Sequence, residues 1–324
     1  MKKFIAVLLS ALLMCGCFAF TGCSSADYTV GIVQLVAHPA LDQATQGFKD
    51  ALTEEMTKAG KTVKFDFQDA NNESSTCTTI ANNFVAKKYD LIMANATSAL
   101  QAAANSTTTI PVLGTSVTEY GVALGLSDFN GTVGGNISGT SDLADLEKQA
   151  QMIMDLVPAA KKVGLLYCSA EPNSEYQVNK VKAYLEAAGK GISCEKFSFT
   201  DSNDIASVLN GAVSKSDVIY VPTDNTVANN TAIVDSICRP AGIPVVAGEE
   251  GICSGCGIAT LSISYYGIGQ KTGKMAAEIL LNGADISTMA IAYDEGAVYK
   301  YNEEICTALG ITVPDNYEKI VKAE

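Results

Sequence analysis

Segments with strand-like and helix-like patterns of apolar residues alternate along the chain from Tyr28 onward. The run YTVGIVQLV is continuously apolar and β-branched, which is typical of a strand buried in a parallel sheet. Apolar residues then recur at helical spacing over 41–56, and Gly60 follows them as a helix stop. The Gly- and Asn-rich segment 130–139 predicts an irregular loop. Such alternation predicts right-handed βαβ units and parallel sheets.

The same order of elements occurs twice. The segment YDLIMANATSAL with its later IPVLGT matches SDVIYVPTDNTV with its later IPVVAG, which sets Thr97 opposite Asp224. A repeat of this size indicates duplication of a whole domain rather than a short-period solenoid. The sequence therefore predicts an α/β protein with two doubly wound parallel-sheet domains, joined by several strands and separated by a cleft. We expect the N-terminal lobe to be 28–148 plus 263–290, and the C-terminal lobe to be 149–262 plus 291–324.

The first residues have the pattern of an export segment. Two lysines follow the first Met, and 4–20 is almost wholly apolar, which is typical of a signal peptide. The letters FTGC, ending at Cys23, resemble the lipobox of bacterial lipoproteins, with Cys17 as a competing site. We expect 1–22 to be removed, Cys23 to be lipidated, and the protein to be extracytoplasmic and lipid-anchored to the cell membrane. The alternative is an ordinary secretory peptide.

Composition narrows the choice of partner. The formal net charge is −13, which argues against a nucleic-acid partner because such proteins are basic. Seven cysteines follow the export segment at irregular spacing, so no disulfide framework is predicted. Cys253 and Cys256 have C-x₂-C spacing, but no second pair follows at the spacing of a zinc site. We predict no metal and no cofactor.

Polar loops mark the expected ligand site. Ligands of open α/β sheets bind outside the carboxyl ends of the strands, and polar loops there lead into helix N-termini, whose free N–H groups favour anions. The chain has a single arginine, Arg239, at a helix end, so a ligand carboxylate must be held by N–H groups and hydroxyls. Asp224 or Glu171 is expected to bind an ammonium group. The candidate ligand residues are Gln34, His38, Thr97, Ser98, Thr115, Ser116, Thr118, Glu171, Asn173, Ser174, Asp224, Asn225 and Glu249.

At these loops the sequence resembles a known family. It is similar to the substrate-binding lipoproteins of a class of ABC importers, the branch associated with tryptophan and tyrosine, in VGIVQLVAHPALDQATQGF, DLIMANATSALQA, NISGTSD, VGLLYCSAEPNSEYQV, IYVPTDNTV and SISYYGIGQKTGKMAAEIL. The resemblance implies a type I periplasmic-binding-protein fold with a hinge of three crossover strands. It also implies an amino acid ligand, an ABC permease as partner and no catalysis; we expect a monomer. Ala37, Ser264 and GICSGCG depart from the family pattern.

Two alternatives stay open. The same fold binds sugars or nucleosides in other proteins, and although this chain has no Trp, its tyrosines are able to stack on such a ligand. The other alternative is an extracellular hydrolase. Its base would have to be His38, the only histidine.

Overall fold

The computed structural model describes residues 26–294 and 296–321. The predicted signal peptide, 1–22, and the predicted lipidation site at Cys23, with its competitor Cys17, lie outside the described residues. Within the described part, no helix combines the length and the apolar character needed to cross a bilayer.

The first portion of the chain alternates strands and helices in the predicted order. Its elements are β1 (Tyr28–Gln34), α1 (Pro39–Lys58), β2 (Val63–Asp69), α2 (Ser74–Ala86), β3 (Leu91–Asn95), α3 (Thr97–Ser106), β4 (Val112–Thr115), α4 (Tyr120–Leu124) and β5 (Ile137–Ser141). Buried apolar clusters cover both faces of the sheet that these strands form. This is why β1 and β3 are apolar throughout rather than alternating.

The middle portion repeats the pattern. Its elements are α5 (Leu146–Leu156), β6 (Lys162–Cys168), α6 (Pro172–Ala187), β7 (Ser193–Phe199), α7 (Ile205–Val213), β8 (Val218–Val221), α8 (Asn225–Ala228), α9 (Thr231–Cys238), β9 (Val245–Ala247), α10 (Glu250–Cys256) and β10 (Ala259–Ser262). The last portion contains α11 (Tyr265–Asn282), β11 (Ala292–Tyr293), β12 (Val298–Tyr301), α12 (Glu303–Leu309) and β13 (Glu318–Lys319).

Two separate sheets organise these elements into two lobes. In the described part of the chain, the first lobe has six strands in the order β11-β5-β4-β3-β1-β2, and the second has seven in the order β13-β12-β10-β9-β8-β6-β7. Adjacent strands are parallel except β10 and β12, which are antiparallel. The exception follows from connectivity: β10 runs toward the first lobe, and β12 brings the chain back in the opposite direction.

The chain passes between the lobes at places slightly different from those expected. The first passage lies between Ser141, the end of β5, and Leu146, where α5 begins and packs on α6 of the second lobe. The expected boundary at 148 is therefore wrong, because it divides the first turn of a helix that packs as one unit. The boundary at 290 is also too early, since β11 extends the first sheet beside Thr140 and Ser141.

The segment 130–139, expected to be an irregular loop, contains the start of β5. Gly139 has φ +147°, and a Cβ atom there would lie 2.0 Å from the Gly114 carbonyl oxygen of β4. The Tyr120 hydroxyl closes the same corner by donating to the Thr140 carbonyl oxygen at 3.1 Å. Glycine thus permits β4 and β5 to pair closely. Because β5 has few apolar side chains, its sequence does not show the pattern of a strand.

Helices α1 and α11 cross closely on the outer face of the first sheet. A Cβ atom added at Gly47 would lie 2.2 Å from the Tyr266 carbonyl oxygen, and one at Gly269 would lie 2.0 Å from the Ala44 carbonyl oxygen. The two backbones are therefore in contact at these glycines. This crossing fixes a helix from the last portion of the chain against the first helix of the lobe.

Candidate functional site

The carboxyl ends of the central strands of both sheets face each other across a cleft. Among the described residues, two hydrogen bonds join loops across it. His38 Nε2 lies 3.2 Å from Asn225 Oδ1, and Asn72 Nδ2 donates to Thr226 Oγ1 at 3.2 Å. Since both bonds join loops of different lobes, the cleft is closed in this structure.

The first lobe presents backbone N–H groups to the cleft. Helices α1 and α3 both begin without a side-chain cap on their first N–H groups. Ala96, before α3, has φ +88°, and Ser116, after β4, has φ +52°; both are non-glycine residues in sparsely populated backbone regions. Strain of this kind clusters at ligand sites. The uncapped N–H groups give this wall a partial positive character.

The second lobe presents carboxylates, and most of them cap helices. Glu171 accepts hydrogen bonds from the backbone N–H groups of Asn225 and Thr226 at 3.0 and 2.8 Å, and from the Thr226 hydroxyl at 2.8 Å. Asp224 accepts from the N–H groups of Cys168 and Val227 at 2.7 and 2.9 Å. Burial, together with the neighbouring Glu171, raises the pKa of Asp224. Both carboxylates, predicted to bind an ammonium group, already have donors from the protein.

The hydrogen bonds of His38 define which of its ring nitrogens is free. Asn225 Nδ2 donates to Glu171 Oε2 at 2.7 Å, so Asn225 presents its oxygen to His38, and His38 Nε2 is the donor. Burial lowers the pKa of His38, which keeps the ring neutral. His38 Nδ1 is then an acceptor, and it is buried without a partner. The hydrolase alternative requires a nucleophile at this ring, whereas Nε2 contacts an amide oxygen.

Asp142 is a site residue that the sequence reasoning missed. It lies in the first passage between the lobes and is 4% exposed. One carboxylate oxygen accepts from the Tyr265 hydroxyl at 3.0 Å, and Oδ1 is buried without a partner. The nearby Thr118, another predicted ligand residue, is buried and accepts a hydrogen bond from Ser141 through its carbonyl oxygen at 2.8 Å. Burial raises the pKa of Asp142 to about 6. Its signal in the sequence is an acidic residue just after a strand, but β5, with the sequence ISGTS, lacks the apolar run that identifies a strand.

Four buried polar atoms without a protein partner come from all sides of the cleft: His38 Nδ1, Ser116 Oγ, Asp142 Oδ1 and Asn173 Oδ1. We call these four residues the cleft cluster. Three of its members have Glu171 as a common neighbour: Asn173 Nδ2 donates to Glu171 at 3.2 Å, and Glu171 interacts electrostatically with both His38 and Asp142. Unpartnered buried polar atoms are rare in native proteins, so a cluster of them marks the place of a polar ligand.

Other predicted residues support the site from behind. Gln34 uses both ends of its amide within the first lobe, bonding Asp42, Thr45 and Asn95. Thr115 joins a buried hydroxyl chain with Thr140 and Thr272, with oxygen separations of 3.0 and 3.2 Å. The structure therefore gives Gln34 and Thr115 a structural role beneath the cleft, because their polar groups are already bonded.

The remaining predicted residues lie at helix starts. Thr97 and Ser98 form the first turn of α3 and are buried. Ser174, in the first turn of α6, donates to the Thr223 carbonyl oxygen at 3.5 Å. Glu249 caps α10 through the N–H groups of Gly251 and Ile252, and burial raises its pKa to about 7.

Arginine and the paired cysteines lie away from the cleft cluster. Arg239 forms ion pairs of 2.8 Å with Asp235 and with Glu304 at the surface of the second lobe. Cys253 and Cys256 are buried in α10, and burial raises the pKa of each thiol. Among residues 26–294 and 296–321, no group of three or more His, Cys, Asp or Glu side chains is placed to hold a metal ion.

Comparisons with known proteins agree with this architecture. Residues 29–323 match the family described as ABC transporter substrate binding protein. A protein of Clostridioides difficile (strain R20291) named tyrosine-binding protein is 35% identical, over 95% of this chain and 92% of that protein. The predicted family resemblance is thereby confirmed.

Two solved structures bear on the fold and on its state. An ABC domain in complex with L-Trp from Streptococcus pneumonia has 32% identity and a TM-score of 0.85, covering 91% of this chain and 100% of that one. A ligand-free, open substrate-binding protein with adhesive properties from Clostridium difficile has 39% identity but a TM-score of 0.69, covering 90% and 99%. The open structure has the higher sequence identity but the lower TM-score. This agrees with a cleft that is closed in the present structure.

The predicted fold class, two parallel-sheet α/β domains of the type I periplasmic-binding-protein fold, is confirmed by these neighbours. The match to the family model spans nearly all of the described residues, and the cleft lies where that fold binds its solutes. This chain belongs to the ABC transporter substrate-binding protein family.

Proposed function

We propose that this protein captures a zwitterionic amino acid with an aromatic side chain in the closed cleft and delivers it to an ABC permease. The observation that carries the proposal is the cleft cluster, four buried polar atoms without a protein partner that converge from both lobes and from a passage between them. Each lost hydrogen bond of a buried group costs about 1–3 kcal/mol, which a ligand recovers by supplying the partner.

The polar groups left free in the cleft suit a zwitterion. The uncapped N–H groups of α1 and α3, with the Ser116 hydroxyl, receive the ligand carboxylate without arginine. The free oxygen of Asp142, in the first passage between the lobes, and the acceptor Nδ1 of His38, just before α1, receive the ammonium group. Asp142 replaces Asp224 and Glu171 in this role, because those two carboxylates are occupied by helix N–H groups.

The aromatic side chain is proposed from the relatives. One is named tyrosine-binding protein, and a solved relative at 32% identity is in complex with L-Trp. The other predicted ligand residues keep a role as supports, with Gln34, Thr97, Ser98 and Thr115 behind the first wall. Asn173, Ser174, Asn225 and Glu249 support the second.

Capture is proposed to work by hinge closure. The hinge consists of the passages of the chain between the lobes, at 142–145, at 263–264 and between β11 and β12. A ligand that touches both lobes favours the closed state by the difference of its contacts in the two states. We propose that the protein acts as a monomer.

Proteins of this family act outside the cytoplasm. We further propose that Cys23 is diacylated and holds the protein on the cell membrane. Replacing Cys23→Ser should release the protein into the medium and remove its lipid mass, whereas Cys17→Ser should leave both unchanged. A protein that stays in the membrane fraction after Cys23→Ser would contradict the anchor.

The ligand proposal is tested by calorimetry and thermal shift with L-tyrosine, L-tryptophan, L-phenylalanine, small amino acids, sugars and nucleosides. We expect a thermal shift with aromatic amino acids. Asp142→Asn should weaken binding about 10- to 100-fold, since removing a charged partner costs about 1.5–3 kcal/mol. The control, Asp155→Asn on the exposed side of α5, should bind as the unaltered protein does. A shift with a sugar or nucleoside and with no amino acid would overturn the proposal.

A further inference from the structure

A cavity of about 330 Å³ opens on one flank of the closed cleft, between the first turn of α1 and helix α10. We call it the flank cavity. Its lining residues come from both lobes and from the second passage between them, and include Pro39, Ala40, Ala228, Ser254, Ile263 and Tyr265. Because its two sides belong to different lobes, its shape depends on closure.

The flank cavity shares a wall with the cleft cluster. Tyr265 lines the cavity, and its hydroxyl donates to Asp142 at 3.0 Å. Glu249 also lines it and interacts electrostatically with Asp142. A small molecule whose ammonium group binds Asp142 therefore has this cavity beside it.

The size and lining of the flank cavity suit a planar apolar ring. A buried apolar cavity of about 150 Å³ accepts benzene in another protein, so about 330 Å³ has room for a phenol or an indole. Pro39, Ala40, Ala228 and Ile263 supply an apolar surface, and polar groups come from Gln43, Thr231, Glu249 and Glu250. Small side chains at Ala40, Ala228 and Ser254 keep the space open.

The opposite flank of the cleft is a weaker candidate for the ring. A groove there is lined by Glu119, Val122, Leu126, Phe129 and Tyr176, among others. It shares neither Tyr265 nor Glu249 with the surroundings of Asp142.

We propose that the flank cavity holds the aromatic ring of the bound amino acid, while the cleft cluster holds its ammonium and carboxylate groups. This assignment rests on the proposed function and adds to it the residues that select the side chain. The ring then contacts α1 of one lobe and α10 of the other, so an aromatic side chain itself promotes closure. A ligand with a methyl side chain leaves the cavity unfilled and loses that contact.

A pair of identical substitutions on the two flanks tests the assignment. Ser254→Leu fills the flank cavity, and Ser127→Leu adds the same bulk to the groove on the opposite flank. With L-tryptophan and L-tyrosine as probes, we expect Ser254→Leu to weaken binding at least about tenfold and Ser127→Leu to change it less than about twofold. The melting temperatures of both variants verify that they are folded.

Fluorescence of the unaltered protein gives a second measurement that needs no variant. The chain has no tryptophan, so bound L-tryptophan is the only indole. We expect its emission to shift to the blue and to resist acrylamide quenching when the ring enters the flank cavity. If no aromatic amino acid binds, the proposed function itself fails. If L-tryptophan binds but Ser254→Leu is neutral, or Ser127→Leu is the damaging change, the assignment of the cavity is overturned.

Discussion

Buried carboxylates in the cleft differ in how many bonds the protein itself gives them. Glu171 and Asp224 each receive several hydrogen bonds from N–H groups, so they organise the loops of the second lobe. Asp142 keeps one oxygen free although it is almost fully buried. At the residue scale, the site is therefore defined by which polar atoms are left over, rather than by which residue types are present.

The raised pKa values predict how stability depends on pH. The pKa of Asp142 is about 6 and that of Glu249 about 7, because both are buried. In the unfolded chain both titrate near 4, so the folded state binds these protons more tightly. Their contribution to stability is complete below about pH 4 and is lost as pH rises through 6 and 7.

Urea unfolding of the ligand-free protein measures this effect. We expect the free energy of unfolding to fall between pH 5 and pH 8, with Glu249 contributing about 1–3 kcal/mol of the fall. Glu249→Gln should remove that part of the slope, whereas Glu147→Gln on the exposed side of α5 should leave it. Equal slopes for unaltered protein and Glu249→Gln would contradict the assignment.

At the element scale, the first lobe depends on two helices that touch backbone to backbone. The contact of α1 with α11 passes through Gly47 and Gly269, where a Cβ atom has no room. Close helix contact of this kind permits tight packing but tolerates no added volume. The crossing therefore holds α11, and with it Tyr265 at the start of that helix, in a fixed position beside the cleft.

The same substitution, Gly to Ala, made separately in two helices tests this packing. Gly269→Ala would place a Cβ atom 2.0 Å from the Ala44 carbonyl oxygen, so we expect it to lower the free energy of unfolding by about 1–3 kcal/mol. Gly211→Ala in α7 meets no atom within 4 Å and should raise it by about 0.5–1 kcal/mol, since Ala favours a helix more than Gly. Chemical denaturation measures both. Effects of the same sign at both positions would contradict the close crossing.

The periodicity of apolar residues predicts most of the helices and strands. Where it fails to predict an element, the failure has a physical cause. Strands such as β1 and β3 are buried on both faces, so their apolar runs are distinct in the sequence. Strand β5 pairs through Gly139 and small polar residues, which carry no such signal. The segment 225–238 forms two helices, α8 and α9, that are separated near Asn230. The first N–H groups of α8 donate to its own cap Asp224 and to Glu171, which is distant in sequence and carries no local signal.

The sequence predicts where the site residues lie better than it predicts what each of them does. Strand ends and helix starts pointed to His38, Ser116 and Asn173, which the structure leaves with unpartnered atoms. The same rule selected Gln34, whose amide is bonded inside the first lobe. Whether a polar group is free depends on neighbours distant in sequence, so spacing alone does not distinguish these cases.

At the scale of the whole molecule, closure brings loops of the two lobes into direct contact. The hydrogen bond from Asn72 to Thr226 is one of these contacts across the cleft. Neither residue belongs to the cleft cluster, so this bond affects the equilibrium between open and closed forms without touching the ligand groups.

Removing that bond should weaken affinity modestly. Asn72 has φ +66°, which glycine accepts, so Asn72→Gly deletes the side chain without straining the backbone. We expect a loss of affinity of about two- to tenfold, equivalent to one neutral hydrogen bond. Asn71→Gly, at φ +51° next to it, is the matched control and should bind normally. Calorimetry compares the two, and equal affinities would show that the bond does not contribute to closure.

The late return of α11 to the first lobe has a consequence for how the molecule is made. Tyr266 bonds Asp50 across 216 residues of sequence, so the first lobe cannot be completed until nearly the whole chain has been synthesised. Contacts so distant along the chain slow folding, because loop closure precedes any gain from packing. A truncated chain that ends after β10 would leave α1 with a bare face and β5 as an open edge. The newly made polypeptide is thus kept from completing its first lobe early.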